Sequence, residues 1–391
     1  MATTSTPLLS SSESSSRDDE SPIPEPPECM NNNGKEPPEE ERKTVDSFIR
    51  FSWYAVRILL LSEFLLLAAA GNMVYMVYAG AAPKSVACLD ANGTMLFEDV
   101  CKEHKNDWRD IGCARLEPRA EFDSLNVEFG HFCAETALVK SSISVQMFGV
   151  LVGAVIWGHL SDAHGRKKIL IICYLCVAAL SLLNTLCTDL ISFTAVRTIL
   201  AFFNGGSMVV FGVYKMEHIP TRHRFLVSSL IAWAPNFIMI NGLAYLAGDW
   251  RTLQKVLFAI SAPAIVMFGF CFESPRWLIQ HGSIDEARRV LEKIQAIDGV
   301  SEAKKEDMMK MMDYERDRFL ARERKAKRYN FTHLFRYREM AVSTVIFSFG
   351  IMACSMISYG LMFNLEALSG SLFLNSVYLG LLRWSINIVS G

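Results

Sequence analysis

The sequence predicts an all-helical, polytopic membrane protein, and three observations carry that expectation. Hydrophobic residues make up 51% of the 391-residue chain, charged residues only 20%, and the mean hydropathy is +0.22, too apolar for an ordinary soluble protein of this length. Charge avoids the long apolar runs and gathers in the leader, in one early loop and between 276 and 338. The runs themselves are long enough to span, since about 30 Å of hydrocarbon takes roughly 20 residues at 1.5 Å each. A formal net charge of -2 points away from nucleic acid and from strongly acidic partners.

Residues 1–46, rich in Ser, Pro, Glu and Asn, hold too few large apolar side chains to offset ordering entropy and read as a disordered cytosolic leader. They are not a signal peptide, because no apolar stretch follows a basic start. Apolar runs follow at about 55–80, 143–162, 169–187, 191–213, 225–246, 253–272, 341–363 and 373–391. Gly149 and Gly153, four apart in the second run, would let helix backbones approach closely where lipid offers no hydrophobic drive to association. The loops carrying Arg166, Lys167 and Lys168, and Arg222 and Arg224, belong on the cytosolic side, as does the basic segment after Arg276. The N-terminus is then cytosolic and the loop 83–140 extracellular.

That loop independently looks exported. Cys88, Cys101, Cys113 and Cys133 lie in a polar stretch with a sequon at Asn92, and two disulfides are expected there, with three pairings open. The sequon at Asn330 falls on the cytosolic side. Cys173 and Cys176 sit inside an apolar run with no neighbouring charge to lower a thiol pKa, and read as packing residues.

From Gly158 the chain reads GHLSDAHGRKK, and from Glu273 ESPRWLIQHGSIDEARRVLEKIQAIDG. The first resembles the signature loop between helices two and three of major facilitator transporters. The second resembles the ESPRWL signature and following helix of organic ion transporters and their sugar-transporter relatives. DWRTLQ from Asp249, the segment around Tyr359, and the large cysteine-bearing loop favour the organic cation, anion and carnitine branch. The resemblance covers nearly everything from about residue 48 onward. It implies a major facilitator fold: an N-terminal six-helix bundle over 47–275 built from inverted three-helix repeats, a cytosolic helical linker over 276–338, and over 339–391 the first two helices of a second bundle. The family has twelve spans in two halves, so the second half is expected to be incomplete here.

The resemblance also implies roles. Gly158, Asp162, Gly165, Arg166, Lys167, Glu217, Glu273 and Arg276 would form a charged latch or gate on the cytosolic face, with Gly158 allowing close helix contact and Gly165 turning the chain. Pro275 would end the sixth span, and Trp277 would sit at the interface. Ionisable groups at bilayer depth are costly and functional by default. Glu63 and Arg197 lie in the first and fourth spans, which line the cavity in such transporters; Arg197 either orients substrate, pairs with a carboxylate, or snorkels to the headgroups. Met208, Gly212 and Met216 stand where cation transporters carry aromatic and hydroxyl side chains. Tyr359 and Arg383 complete the cavity candidates.

The implied function is alternating-access transport of small organic ions across the plasma membrane, with membrane lipid as the surrounding partner. No cofactor, no metal site and no enzyme constellation is read from the residues. A truncated, non-transporting isoform that assembles with or inhibits a full-length partner is the alternative; a receptor built on the outer loop is more distant. By itself the chain is expected to fall short of transport, unless homo-oligomerisation supplies the second wall. N-glycosidase treatment should raise the electrophoretic mobility of the membrane-expressed protein, and Asn92→Gln should abolish the shift. No shift, with loop 83–140 labelled from the cytosolic side, would overturn the topology.

Overall fold

The computed structural model describes residues 52–103, 113–230, 233–299, 302–323, 335 and 337–390. The leader, Asn330 and, in the linker, 300–301, 324–334 and 336 lie outside them. Long helices run Trp53–Ala79 (α1), Thr136–His164 (α4), Arg166–Asn184 (α5), Leu190–His218 (α6), Trp250–Gly269 (α9), Arg338–Phe363 (α13) and Leu372–Ser390 (α14). Among the described residues, seven helices are long and apolar enough to cross a membrane. Thr221–Leu230 (α7) and Trp233–Ala247 (α8) stand at the fifth apolar run. Short helices Val100–Glu103 (α2) and Leu125–Glu128 (α3) belong to the loop between α1 and α4, and Pro275–Gln280 (α10), Ile284–Asp298 (α11) and Glu302–Glu323 (α12) to the segment after α9.

The chain alternates between two ends of this bundle. One end, here the basic end, holds Trp53, the α4–α5 joint at Gly165, and the segment from Cys271 to Trp277. The other, the cystine end, holds Gly80, the α5–α6 turn, and the α13–α14 turn. Caps explain the sharp turns: the Asp189 carboxylate accepts from Ser192 N at 2.9 Å and that of Asp249 from Thr252 N at 2.8 Å, each starting a helix. α9 ends at Gly269, so Pro275 does not terminate the sixth span as the sequence suggests. It opens α10 instead, behind the capping hydroxyl of Ser274, because a helix's first position needs no N–H.

α4 and α6 pack backbone to backbone. A Cβ on Gly153 would lie 1.8 Å from Phe202 O, and one on Gly205 2.3 Å from Val150 O, so only hydrogen fits there. Gly158 is different: its nearest neighbour would be Val209 Cγ1 at 3.7 Å, ordinary contact, so the close approach expected at Gly158 is made by Gly149, Gly153 and Gly205. Cys173 packs in the bundle interior with Leu170, Tyr174 and Tyr214.

At the cystine end the loop builds an antiparallel sheet. Its strands are Ser85–Leu89 (β1), Met95–Phe97 (β2) and Arg115–Arg119 (β3), in the order β2-β1-β3. Register sets Cys88 opposite Leu116 and Phe97, and the bonds are Cys88–Cys113 and Cys101–Cys133. Val86, Cys88, Val100 and Phe132 form a small core between them. The domain is fixed to the bundle: Asp123 N donates to Gly248 O at 2.9 Å, Asn126 Nδ2 to Gly80 O at 3.0 Å, and Trp250 Nε1 to Glu128 Oε2 at 2.6 Å. Gly153→Val should lower thermal stability by about 1–3 kcal/mol or more through overpacking, whereas Gly212→Ala, which meets open space, should leave it unchanged. Melting of the detergent-purified protein followed by size-exclusion fluorescence checks both.

Candidate functional site

Charged residues at the basic end converge on the first turn of α5. Like any helix, α5 begins with amide N–H groups that have no partner within it. Glu273, over a hundred positions later in the chain, supplies one: its Oε1 accepts from Arg166 N at 3.0 Å and Lys167 N at 3.0 Å, and also from Ser274 N at 3.1 Å. Gly165 makes this possible twice over. Its φ of +104° turns the chain, and a Cβ there would lie 2.6 Å from Glu273 Oε2. Burial pushes the Glu273 carboxyl above its ordinary range, and the N–H groups of Lys167, Ser274 and Arg166 pull it back toward the ionised form.

The Arg166 side chain extends the cluster. Its guanidinium pairs with Asp162 on α4, reaches Glu217 Oε1 on α6 at 3.4 Å, and donates to Ser161 Oγ at 3.1 Å. Lys167 Nζ donates to Cys271 O at 2.6 Å, and Trp277 Nε1 to Asp162 O at 2.9 Å. Trp277 is thus a hydrogen-bonded member of the cluster beyond the interfacial role expected of it. One group of side chains therefore ties α4, α5, α6 and the segment after α9. Arg276 lies beside it, half-buried.

The cavity candidates fall into separate sets. Glu63 on α1 accepts from Asn236 Nδ2 at 3.1 Å and interacts electrostatically with Lys215 on α6. Met208 and Gly212 follow one stripe of α6, half-buried, with open space where a Gly212 Cβ would be. Arg383 donates to Ser358 O at 2.8 Å and interacts with Tyr359, tying α14 to α13.

Among the described residues, Arg197 makes neither the headgroup contact nor the carboxylate pair that the sequence offers it. It is 1% exposed, so it neither snorkels nor meets headgroups. Nor does it pair with a carboxylate: its guanidinium donates to Asn72 Oδ1 and Gln254 Oε1, both at 3.1 Å, and to Asn72 O, and lies 4.2 Å over the Tyr75 ring. Neutral acceptors and an aromatic face satisfy the charge inside the bundle. Asn72, Asn236 and Gln254 were missed in the sequence, although a polar amide inside an apolar run is itself a signal.

A model of the family described as "Sugar (and other) transporter" matches residues 91–390. Among curated proteins, the chain is similar to solute carrier family 22 member 7 of Bos taurus, 27% identical over 267 residues, covering 67% of this chain and 48% of the relative. It is likewise similar to the organic cation transporter protein of Drosophila melanogaster, 27% over 277 residues, 66% and 48%. Organic anion transporter 3 of Oryctolagus cuniculus is 27% identical over 269 residues, again 66% and 48%. The chain spans about half the length of these relatives. Among solved structures, it is similar to the proton:xylose symporter XylE bound to 6-bromo-6-deoxy-D-glucose, with TM-score 0.54 and 14% identity over 86% of this chain and 68% of that one. Inward-open XylE from E. coli gives TM-score 0.54 at 13% identity, covering 86% and 69%. At such identity the likeness shows the fold alone.

The cluster at α5 yields a contrast in stability. Arg166→Ala removes the partner of Glu217, whose side chain is only 14% exposed, and should cost about 3–5 kcal/mol, as breaking a buried pair does. Asp162 is 65% exposed, and Asp162→Asn should cost no more than about 1 kcal/mol. Thermal melts of both variants in one detergent decide it; equal losses would contradict the assignment of burial.

Proposed function

Since the chain belongs to the sugar (and other) transporter family of the major facilitator superfamily, we propose that it forms the substrate-binding first half, and the start of the second, of an alternating-access carrier for small organic ions. It is an integral membrane protein. The plasma membrane is its proposed location, with the basic end cytosolic and the cystine end, including Asn92, outside.

The observation that carries the proposal is the α5 cluster. A latch has to hold in one access state and release in another. Here a guanidinium shared between Asp162 and Glu217, and a carboxylate capping a helix from a separate segment, tie four elements through contacts that a small relative shift of those elements would break. Gly158, flanking this cluster on α4, and Arg276, on α10, are proposed as its periphery. The relatives named for organic cation and organic anion transport support the substrate class. Within the bundle, Glu63 is the proposed contact for the charged end of a substrate, with Lys215 setting its local field. Met208 and Gly212 on α6, and Tyr359 and Arg383 on the second half, are the proposed remainder of the wall. Arg197, enclosed by its own partners, is proposed to order α1, α6 and α9 behind that wall, not to touch substrate.

Equilibrium binding of a labelled organic cation and a labelled organic anion to the purified chain tests the proposal. Saturable binding of one of them is expected, and Glu63→Gln should weaken binding of the cation about tenfold or more, an amount that corresponds to ~1.4 kcal/mol, whereas binding of an anion should not weaken. Binding of neither would contradict it. Liposomes containing this chain alone are expected to show no saturable uptake, because the second wall has only two helices; saturable uptake would contradict that expectation and exclude the non-transporting assembly partner.

A further inference from the structure

The cystine end carries contacts between the two halves that none of the latch residues explains. Glu121 follows β3 in the cystine domain. Its Oε2 accepts from Ser371 Oγ at 2.9 Å and from Leu372 N at 2.8 Å, while its Oε1 pairs with Lys84. A carboxylate of the first half therefore caps the first helix turn of α14 in the second. Lys84 Nζ also donates to Gly370 O at 3.0 Å. Beside it, Glu366, in the α13–α14 turn, pairs with Lys140 on α4 through Oε1 and accepts from Ala82 N at 2.7 Å through Oε2. Each carboxylate thus combines an ion pair with a backbone N–H, and the two point across the junction in opposite directions.

Apolar packing lies directly beneath. Tyr78 stacks on Phe373 with ring centroids 5.9 Å apart, and Asn241 bridges them by accepting from Tyr78 Oη at 2.9 Å and donating to Phe373 O at 3.0 Å. Met362 and Leu365 are 1% and 2% exposed in the same cluster, whereas Phe347 and Ile351, toward the basic end of α13, are 72% and 67% exposed. The second half leans on the first at its cystine end. Surface ion pairs alone would contribute little to such a junction. Here each carboxylate also satisfies a backbone N–H, and the domain that carries Glu121 is held to the first half by its own hydrogen bonds. Burial raises the Glu121 carboxyl, but the hydrogen bonds from Lys84, Ser371 and Leu372 outweigh it and hold it below its ordinary range, so it is ionised at neutral pH.

We propose that Glu121 and Glu366 form a two-carboxylate clasp that holds the cystine end of the two halves closed, which makes the disulfide-bonded domain a working part of the gate. The clasp rests on the reading of the chain as an alternating-access carrier. Its release would free the α14 N-terminus and the α13–α14 turn together, opening the side of the pathway opposite the α5 cluster.

Ser376 reports the event, since it is 0% exposed and lies one turn beyond Leu372, donating to Leu372 O at 2.9 Å. In protein with Cys187 and Cys354 replaced by Ala, Ser376→Cys should react slowly with a membrane-impermeant maleimide applied to the cystine side of reconstituted vesicles. Glu121→Gln with Glu366→Gln should speed that reaction about tenfold, and each single substitution should give a smaller increase. Labelling is read on the fraction that elutes as folded monodisperse protein, with Lys140→Gln, which removes only one ion pair, as the milder variant should the double variant fold poorly. Unchanged rates in all the folded variants would overturn the clasp. Organic-ion binding is measured on the same preparations. Binding retained with unresponsive labelling fails the clasp alone, while responsive labelling without binding supports the clasp and fails the carrier reading alone.

Discussion

The basic end of the molecule depends on one carboxylate at one helix terminus. Glu273 satisfies the amides of Arg166 and Lys167, which the start of α5 leaves without helical partners. Because Glu273 comes from the segment that follows α9, the cap fastens that segment to the α4–α5 joint. The cap sets the position of Arg166, and Arg166 then brings Asp162 and Glu217 into one cluster. A buried helix start has to find its partners within the protein, so the Gly165 slot that admits Glu273 is as necessary as the carboxylate itself.

The two ends of the bundle solve this problem with similar chemistry. At the basic end Glu273 caps a helix of the first half from a later segment; at the cystine end Glu121 caps a helix of the second half from the first. Between them the interior is held by groups that need no opposite charge. Arg197 rests on Asn72, Gln254 and Tyr75, and the α4–α6 contact rests on glycines with no side chain to displace. The polar contacts at the two ends are the ones that the proposed rocking of one bundle against another would break.

Much of this was legible in the residues, and where it was not the reason is sequence distance. The apolar runs announce helices because spanning length and composition are local properties. Gly149 and Gly153 announce a close contact because their spacing is that of one helix face. The Asp162 and Arg166 pair is likewise one turn apart on the chain. The four cysteines announce two disulfides, yet the pairing depended on the strand register that places Cys88 opposite Leu116. Arg197 was read as a charge seeking a carboxylate or water because Asn72 and Gln254, which satisfy it, stand in other spans. Glu121 and Glu366 gave no signal at all, since each meets a partner some 250 or more positions away. Pro275 was misplaced for a different reason: proline both ends and begins helices, and only the neighbouring Ser274 cap distinguishes the two.

The claim that organises the basic end is that the Glu273 carboxylate, and not lipid or water, satisfies the first amides of α5. Hydrogen exchange at the Arg166 and Lys167 amides, compared between the parent protein and Glu273→Ala in the same lipid nanodiscs, measures this directly. Exchange should be slow at both amides in the parent and rise about tenfold or more in the variant, with the middle of α5 unchanged. Equal exchange in the two proteins would contradict it, and would mean that the start of α5 is satisfied without the carboxylate.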